Sequence, residues 1–180
     1  FLVVFIVSSD FITESRNERD LRAAILFQQY LESEEDMPSS GQELLEVYPE
    51  TLYSDFVSLI QAKKEFSKGE KEKAIDLLKI LIDRHSDSSN EFNPLVTAAK
   101  TRLCRIYMSQ KDYQNVLNTL SDSYVLTASL LELKGDAENQ LGLYELSRVS
   151  YMRALQNSPS QTSRTLINMK ISNLEGEKIE

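Results

Sequence analysis

Gly69-Glu70-Lys71-Glu72-Lys73-Ala74-Ile75-Asp76-Leu77-Leu78 decides the fold, because the chain repeats its pattern twice more. Lys111-Asp112-Tyr113-Gln114-Asn115-Val116-Leu117-Asn118-Thr119-Leu120 is the second copy, and Gly142-Leu143-Tyr144-Glu145-Leu146-Ser147-Arg148-Val149-Ser150-Tyr151 the third. Each opens on a turn. A small or medium residue stands five positions on (Ala74, Val116, Ser147), and a larger apolar residue four further (Leu78, Leu120, Tyr151). Twelve residues before Ala74, Val116 and Ser147 stand Ala62, Cys104 and Gly135, all small. Small residues on both sides of a turn are what two antiparallel helices need where they cross, with larger ones filling the groove between them.

Outward from these copies the chain reads as helix. Gly and Pro sit almost only at breaks: Pro38 to Gly41, Pro49, Gly69, Pro94, Gly142 and Pro159. Between breaks the apolar spacing is helical, as in Ala24, Phe27, Leu31; Ala74, Leu78, Leu81; Ala99, Leu103, Ile106; and Ile167, Ile171, Leu174. The spacing predicts helices over 14–33 and 40–48, and then three pairs: 52–67 with 70–84, 94–109 with 112–121, and 124–140 with 143–156. A last helix is predicted over 162–174. Connections this short force consecutive helices into antiparallel neighbours.

The pairs resemble the tetratricopeptide repeat. The third matches best, with Gly135, Gly142, Tyr151, Ala154 and Pro159 on the turn, packing and terminating positions of that family. The first two depart from it: Ala62 and Cys104 replace the Gly, and neither has the terminal Pro. Ala74 to Val116 is 42 residues and Val116 to Ser147 is 31, so Ser86–Glu91 reads as a loop insertion between repeats. The resemblance implies an all-α fold, a short α-solenoid of tetratricopeptide-like helix pairs with a capping C-terminal helix. One pair cannot bury its apolar face alone, so neighbours stack and the ends need closing. The last helix would cap the C-terminal end, with Leu166, Ile167, Ile171 and Leu174 inward and Thr162, Arg164, Lys170 and Asn173 toward water. The helices at 14–33 and 40–48 would form a degenerate opening pair.

Composition narrows the function. The 180 residues carry 20 Lys or Arg and 28 Asp or Glu, a net charge of −8, which argues against nucleic acid as the main ligand. One His (His85) and one Cys (Cys104) exclude a Cys/His zinc site and an intramolecular disulfide, and disfavour a Ser-His-Asp or Cys-His enzyme. Glu32, Glu34, Glu35 and Asp36 lack the twelve-residue Ca²⁺-loop pattern and read as a solvated helix end. No Gly-rich phosphate loop is present. His85 reads as a residue favoured near a helix C-terminus, and Cys104 as a small buried hydrophobe. The expectation is a protein-binding module with no catalytic, cofactor or metal site.

The opening run Phe1-Leu2-Val3-Val4-Phe5-Ile6-Val7, turning polar at Ser8-Ser9-Asp10, has two readings. It is the start of a core element, or the end of a transmembrane helix occupying residues 1–10 and leading into a repeat domain over 11–180. Seven residues alone do not span a bilayer, which takes about 20.

The apolar stub, the polar helix after it, the weak repeats and the closing Ile167-Asn168-Met169-Lys170-Ile171-Ser172-Asn173-Leu174 together resemble the YfgM family of ancillary SecYEG translocon subunits. That resemblance implies a single-pass inner-membrane protein whose repeat domain lies in the periplasm. It would assist secreted proteins beside the translocon, with a PpiD-like chaperone or prolyl isomerase as partner. A soluble tetratricopeptide adaptor is the alternative. In either case stacked pairs line a concave surface with their first helices. Counting from Ala62, Cys104 and Gly135, the groove positions are Leu59, Lys63 and Phe66; Thr101, Arg105 and Met108; and Glu132, Asp136 and Asn139. Such a surface suits an extended or helical segment of another protein.

Overall fold

The computed structural model describes residues 2–86, 92–121 and 126–176, and side chains for 17–86, 92–121 and 126–174. Every regular element among the described residues is an α-helix: α1 Leu2–Glu32, α2 Ser39–Val47, α3 Leu52–Ser67, α4 Lys71–Arg84, α5 Pro94–Ser109, α6 Tyr113–Ser121, α7 Ala128–Gln140, α8 Tyr144–Asn157 and α9 Gln161–Gly176. The fold is all-α, of the solenoid class built from tetratricopeptide-like pairs.

Most boundaries coincide with the sequence reading, and caps explain them. Thr51 Oγ1 accepts from the Ser54 N–H (3.4 Å) and opens α3. Asn93 Oδ1 accepts from the N–H groups of Leu95 (2.9 Å) and Val96 (3.2 Å), with Pro94 at the first helical position. Thr127 caps α7 through the Leu130 N–H (3.4 Å), so that helix starts later than the predicted 124. The large difference is α1, which runs from Leu2 where the reading began a helix at 14. No Gly or Pro occurs between Leu2 and Met37, so nothing in the backbone chemistry interrupts it. Side chains of residues 1–16, and with them the expected membrane stub, lie outside the described residues. So does the expected loop insertion apart from Ser86. Among the described residues no helix is long and apolar enough to cross a membrane.

The three turns quoted from the sequence share one hydrogen-bond pattern. After α3, Gly69 N–H bonds the Phe66 carbonyl (3.0 Å) and Glu70 N–H the Glu65 carbonyl (3.0 Å). After α5, Lys111 N–H bonds Met108 (3.1 Å) and Asp112 N–H bonds Tyr107 (2.9 Å). After α7, Gly142 N–H bonds Asn139 (2.9 Å) and Leu143 N–H bonds Glu138 (2.8 Å). Each is a Schellman motif, whose C′ residue must be left-handed. Gly69 has φ 90° and Gly142 φ 74°; Lys111 takes the same role at φ 59°. The repeat is thus present in backbone geometry as well as in sequence.

The chain divides into two compact units, residues 1–77 and 78–180, the division falling inside α4. In the first, α1, α2 and α3 pack on one another around Ala23, Leu26, Tyr30, Leu44 and Val57. The buried face of α1 is Ala23-Leu26-Tyr30, one position off the predicted Ala24-Phe27-Leu31. Phe27 is half-buried and Leu31 is exposed, because the Tyr30 ring fills the space beside α2. In the second unit α5 packs on α6 and α7, α6 on α7, α7 on α8, and α8 on α9, the stepwise stacking of a repeat array. Leu131, Tyr151, Ala154, Ile167 and Leu174 form the core of its C-terminal end.

Candidate partner-binding surface

The spacing selects buried residues in every pair, and the helices of the second and third pairs do pack on each other, α5 on α6 and α7 on α8. Ala62, Cys104 and Gly135 are buried, as are Ala74, Val116 and Ser147 and the larger Leu78, Leu120 and Tyr151. In the third pair Ser147 Oγ donates to the Gly135 carbonyl (2.8 Å) across the crossing. A Cβ on Gly135 would stand 2.6 Å from Cδ1 and Cε1 of the Tyr151 ring. Gly135 therefore supplies the space that the ring occupies. Burial pushes the Cys104 thiol up to about 12, which makes it a packing residue and a poor nucleophile.

Of the nine groove positions, those on α3 divide sharply. Lys63 is exposed and Phe66 is 42% exposed, but Leu59 is 6% exposed and belongs to the core. Leu59 is thus corrected from contact residue to packing residue. It lies on the inward side of α3 with Ala62, which a count in steps of three and four from one crossing residue does not separate. On α5, Arg105 is exposed and Met108 half-buried, and the Thr101 hydroxyl donates back to the Thr97 carbonyl (2.7 Å). On α7, Glu132, Asp136 and Asn139 are half-buried, and the two acids are already engaged.

Their occupant is Lys170 of α9. Its Nζ lies 2.7 Å from Glu132 Oε1, and 2.7 and 2.8 Å from the two oxygens of Asp136. The Tyr151 hydroxyl donates to Asp136 Oδ1 (2.7 Å), and the ammonium stands 5.8 Å from the centre of the Tyr151 ring. Burial works against the Lys170 charge, yet its bonds to Asp136 and Glu132 outweigh that and hold its pKa above the ordinary value. Burial, with the bond to Asp136 and its negative charge, pushes the Tyr151 phenol well upward.

This corrects the sequence reading of α9. Lys170 and Arg164 were expected in water; Lys170 is in the acid pair, and Arg164 Nη1 donates to the Leu155 carbonyl (3.0 Å). Leu166, expected inward, is 53% exposed. Only half of the signal was in the sequence. Lys170 lies between Ile167, Ile171 and Leu174 on one helical face, where a lysine drawn partly out of water is stabilised by an anion opposite it, but nothing near it in the chain names that anion.

Sequence reasoning also missed the polar seam on α3. Ser54, Ser58, Gln61 and Glu65 follow the 4-3-4 spacing of a core stripe, and all are buried. Ser58 Oγ donates to the Ser54 carbonyl (3.0 Å), the Tyr30 hydroxyl to Gln61 Oε1 (3.3 Å), and Gln61 Nε2 to Glu65 Oε1 (2.8 Å). Lys68 joins Glu65 (3.1 Å) to Asp36, so the acidic run at 32–36 is tied to α3 at its last member. Lys68 in turn holds the Asp36 carboxyl below its usual range. Among the described residues no three His, Cys, Asp or Glu side chains are grouped to hold a metal ion.

The tetratricopeptide repeat-like domain profile matches residues 1–176. The chain belongs to this family. No curated protein and no solved structure matches it. Domains of the tetratricopeptide repeat-like family are generally protein-interaction modules. Lys63 and Phe66 are exposed on α3, and Arg105 on α5.

Proposed function

We propose that this chain is a membrane-tethered scaffold that binds proteins at the SecYEG translocon. It works with a PpiD-like periplasmic chaperone to assist secreted proteins. A single-pass helix holds it in the inner membrane, and its repeat domain lies in the periplasm. The observation that carries the binding role is the family architecture itself, repeat pairs with basic and aromatic side chains left on the outside of α3 and α5. The finer assignment is supported by the apolar run Phe1–Val7 ahead of the polar part of α1, and by the closing Met-Lys-Ile-Ser-Asn-Leu over 169–174. Exposed Lys63 and Arg105 are the contacts this reading selects.

Two measurements test it. The codons preceding Phe1 are expected to encode about ten or more further apolar residues after a Lys/Arg-containing segment, and the full-length protein is expected in the membrane fraction. Lys63→Glu and Arg105→Glu, made singly and together, are expected to leave helicity unchanged while weakening pull-down of SecYEG or the chaperone. Full capture by the folded double variant removes these contacts from the proposal. Recovery of the full-length protein in the soluble fraction removes the tether and leaves the soluble adaptor.

A further inference from the structure

The acid pair on α7 and the helix that sits on it point to something that a static cap does not require. We propose that the α7–α8 face beneath α9 is a docking surface for a basic amphipathic helix of a partner protein, and that α9 is its displaceable occupant in cis. This rests on the reading of the chain as a protein-binding scaffold.

Four observations carry it. First, α9 sits on the second unit as a bound helical ligand would. Ile167 and Leu174 are each 1% exposed in the cluster with Leu131, Tyr151 and Ala154, and Lys170 between them is gripped by Glu132 and Asp136. This is the anchor spacing of a helix in a groove. Second, both cations of α9 from Gln161 to Leu174 turn inward, Lys170 to the acids and Arg164 to the Leu155 carbonyl. The outward face is uncharged, so the helix is held from one side. Third, α9 packs principally on α8, whereas α7 and α8 each pack on two or more helices, so opening α9 locally breaks less packing than global unfolding does. Fourth, an acceptor on α7 stays unmet with α9 in place. Asn139, one turn beyond Asp136 on the same α7 face, has Oδ1 buried with no hydrogen-bond partner among the described residues.

The surface thus specifies its guest. The guest is a helix with a lysine or arginine flanked by apolar residues at −3, +1 and +4, as in Ile167, Lys170, Ile171 and Leu174. The positive charge is set by Glu132 and Asp136, which would repel an acidic helix. The connection from α8 to α9 is only Ser158–Ser160, so the cis helix competes at high effective concentration. The partner must fit better than α9 does.

The test uses the full chain and a labelled synthetic peptide of residues 159–176. Wild-type chain is expected to bind it weakly, because α9 fills the site. Lys170→Glu places a third carboxylate against Glu132 and Asp136 and loosens the cis helix. This variant is expected to bind the native peptide at least about tenfold tighter than wild type. Adding Glu132→Gln and Asp136→Asn is expected to abolish that gain. Equal binding by wild type and a folded Lys170→Glu chain overturns the proposal, and so does a gain that survives loss of the acids. If Lys170→Glu does not fold, hydrogen exchange on wild type decides. Amides of α9 are expected to exchange about tenfold or more faster than those of α7 and α8 through a local opening. Exchange at one common rate means a fixed cap. Failure here leaves the roles of Lys63 and Arg105 standing, since their pull-down does not involve α9.

Discussion

Each unit of the molecule packs a glycine against a buried tyrosine, and the two sites differ in one respect that sets their strength. In the first, a Cβ on Gly41 would stand 2.7 Å from Tyr30 Cδ2; in the second, a Cβ on Gly135 would stand 2.6 Å from Tyr151 Cδ1. A lysine ammonium lies over each ring, Lys64 at 5.0 Å and Lys170 at 5.8 Å. But the Tyr30 hydroxyl meets a neutral amide, Gln61 Oε1 at 3.3 Å, while the Tyr151 hydroxyl meets a carboxylate, Asp136 Oδ1 at 2.7 Å. A hydrogen bond to a charged acceptor is shorter and roughly twice as strong as a neutral one. The same packing device therefore joins three helices in each unit, α1, α2 and α3 through a neutral hydrogen bond, and α7, α8 and α9 through a charged one.

The largest expected effect breaks the device outright. Gly135→Leu drives a side chain into the Tyr151 ring and is expected to cost about 3 kcal/mol, overpacking outweighing the better helix propensity. For a chain of this length that lowers the melting midpoint by roughly 6–12 °C. Cys104→Ala, at the matching position of the second pair, removes one buried atom and is expected to cost only about 1 kcal/mol. Urea midpoints that rank the two the other way would move the crossing away from Gly135.

The hydroxyls come next. Tyr151→Phe is expected to cost about 1.5–3 kcal/mol and Tyr30→Phe about 0.5–1.5 kcal/mol, the difference being the charge on the acceptor. Their pH dependence shares one sign. Burial, and behind it the negative charge of Asp36, raises the Tyr30 phenol from 10.0 to about 12, so above pH 10 the unfolded chain releases a proton that the folded chain retains. Stability present below pH 10 is then lost as pH rises toward 12. Tyr151 is raised as well. Denaturant midpoints of wild type are expected to fall through that window, and more gently in either Phe variant.

The contrast also shows what the sequence made legible. Helix positions after α1, the repeat and the small buried residues were readable because each depends on local periodicity or on a small residue at a fixed distance from a turn. Lys170 in the acid pair was not, because its partners Glu132 and Asp136 are 38 and 34 residues earlier and nothing local names them. Nor was the α3 seam: Ser54, Ser58, Gln61 and Glu65 have core spacing but polar chemistry, and their burial follows from mutual hydrogen bonds and from Tyr30. Leu59 was misplaced for a related reason, since a helical count fixes a direction but not what stands there.

The smallest expected effect sharpens the comparison at the turns, where the three repeats are alike in hydrogen bonding and differ in one residue. Gly69 and Gly142 occupy the left-handed C′ position at no steric cost, whereas Lys111 holds φ 59° with a Cβ, a conformation that costs an ordinary residue roughly 1 kcal/mol. Lys111→Gly relieves that strain but enlarges the conformational freedom of the unfolded chain, which offsets part of the gain. The net expectation is stabilisation by about 0.5 kcal/mol. Gly142→Ala is expected to destabilise, because φ 74° then carries a Cβ. Nothing stands within 4 Å of a Cβ built there, so the loss measures backbone strain alone. Lys111 is exposed, so its replacement removes little packing. Opposite signs for these two substitutions in urea denaturation would establish that the second turn uses the same left-handed cap as the third. A loss of stability in Lys111→Gly would mean that the lysine contributes something at that turn beyond its backbone.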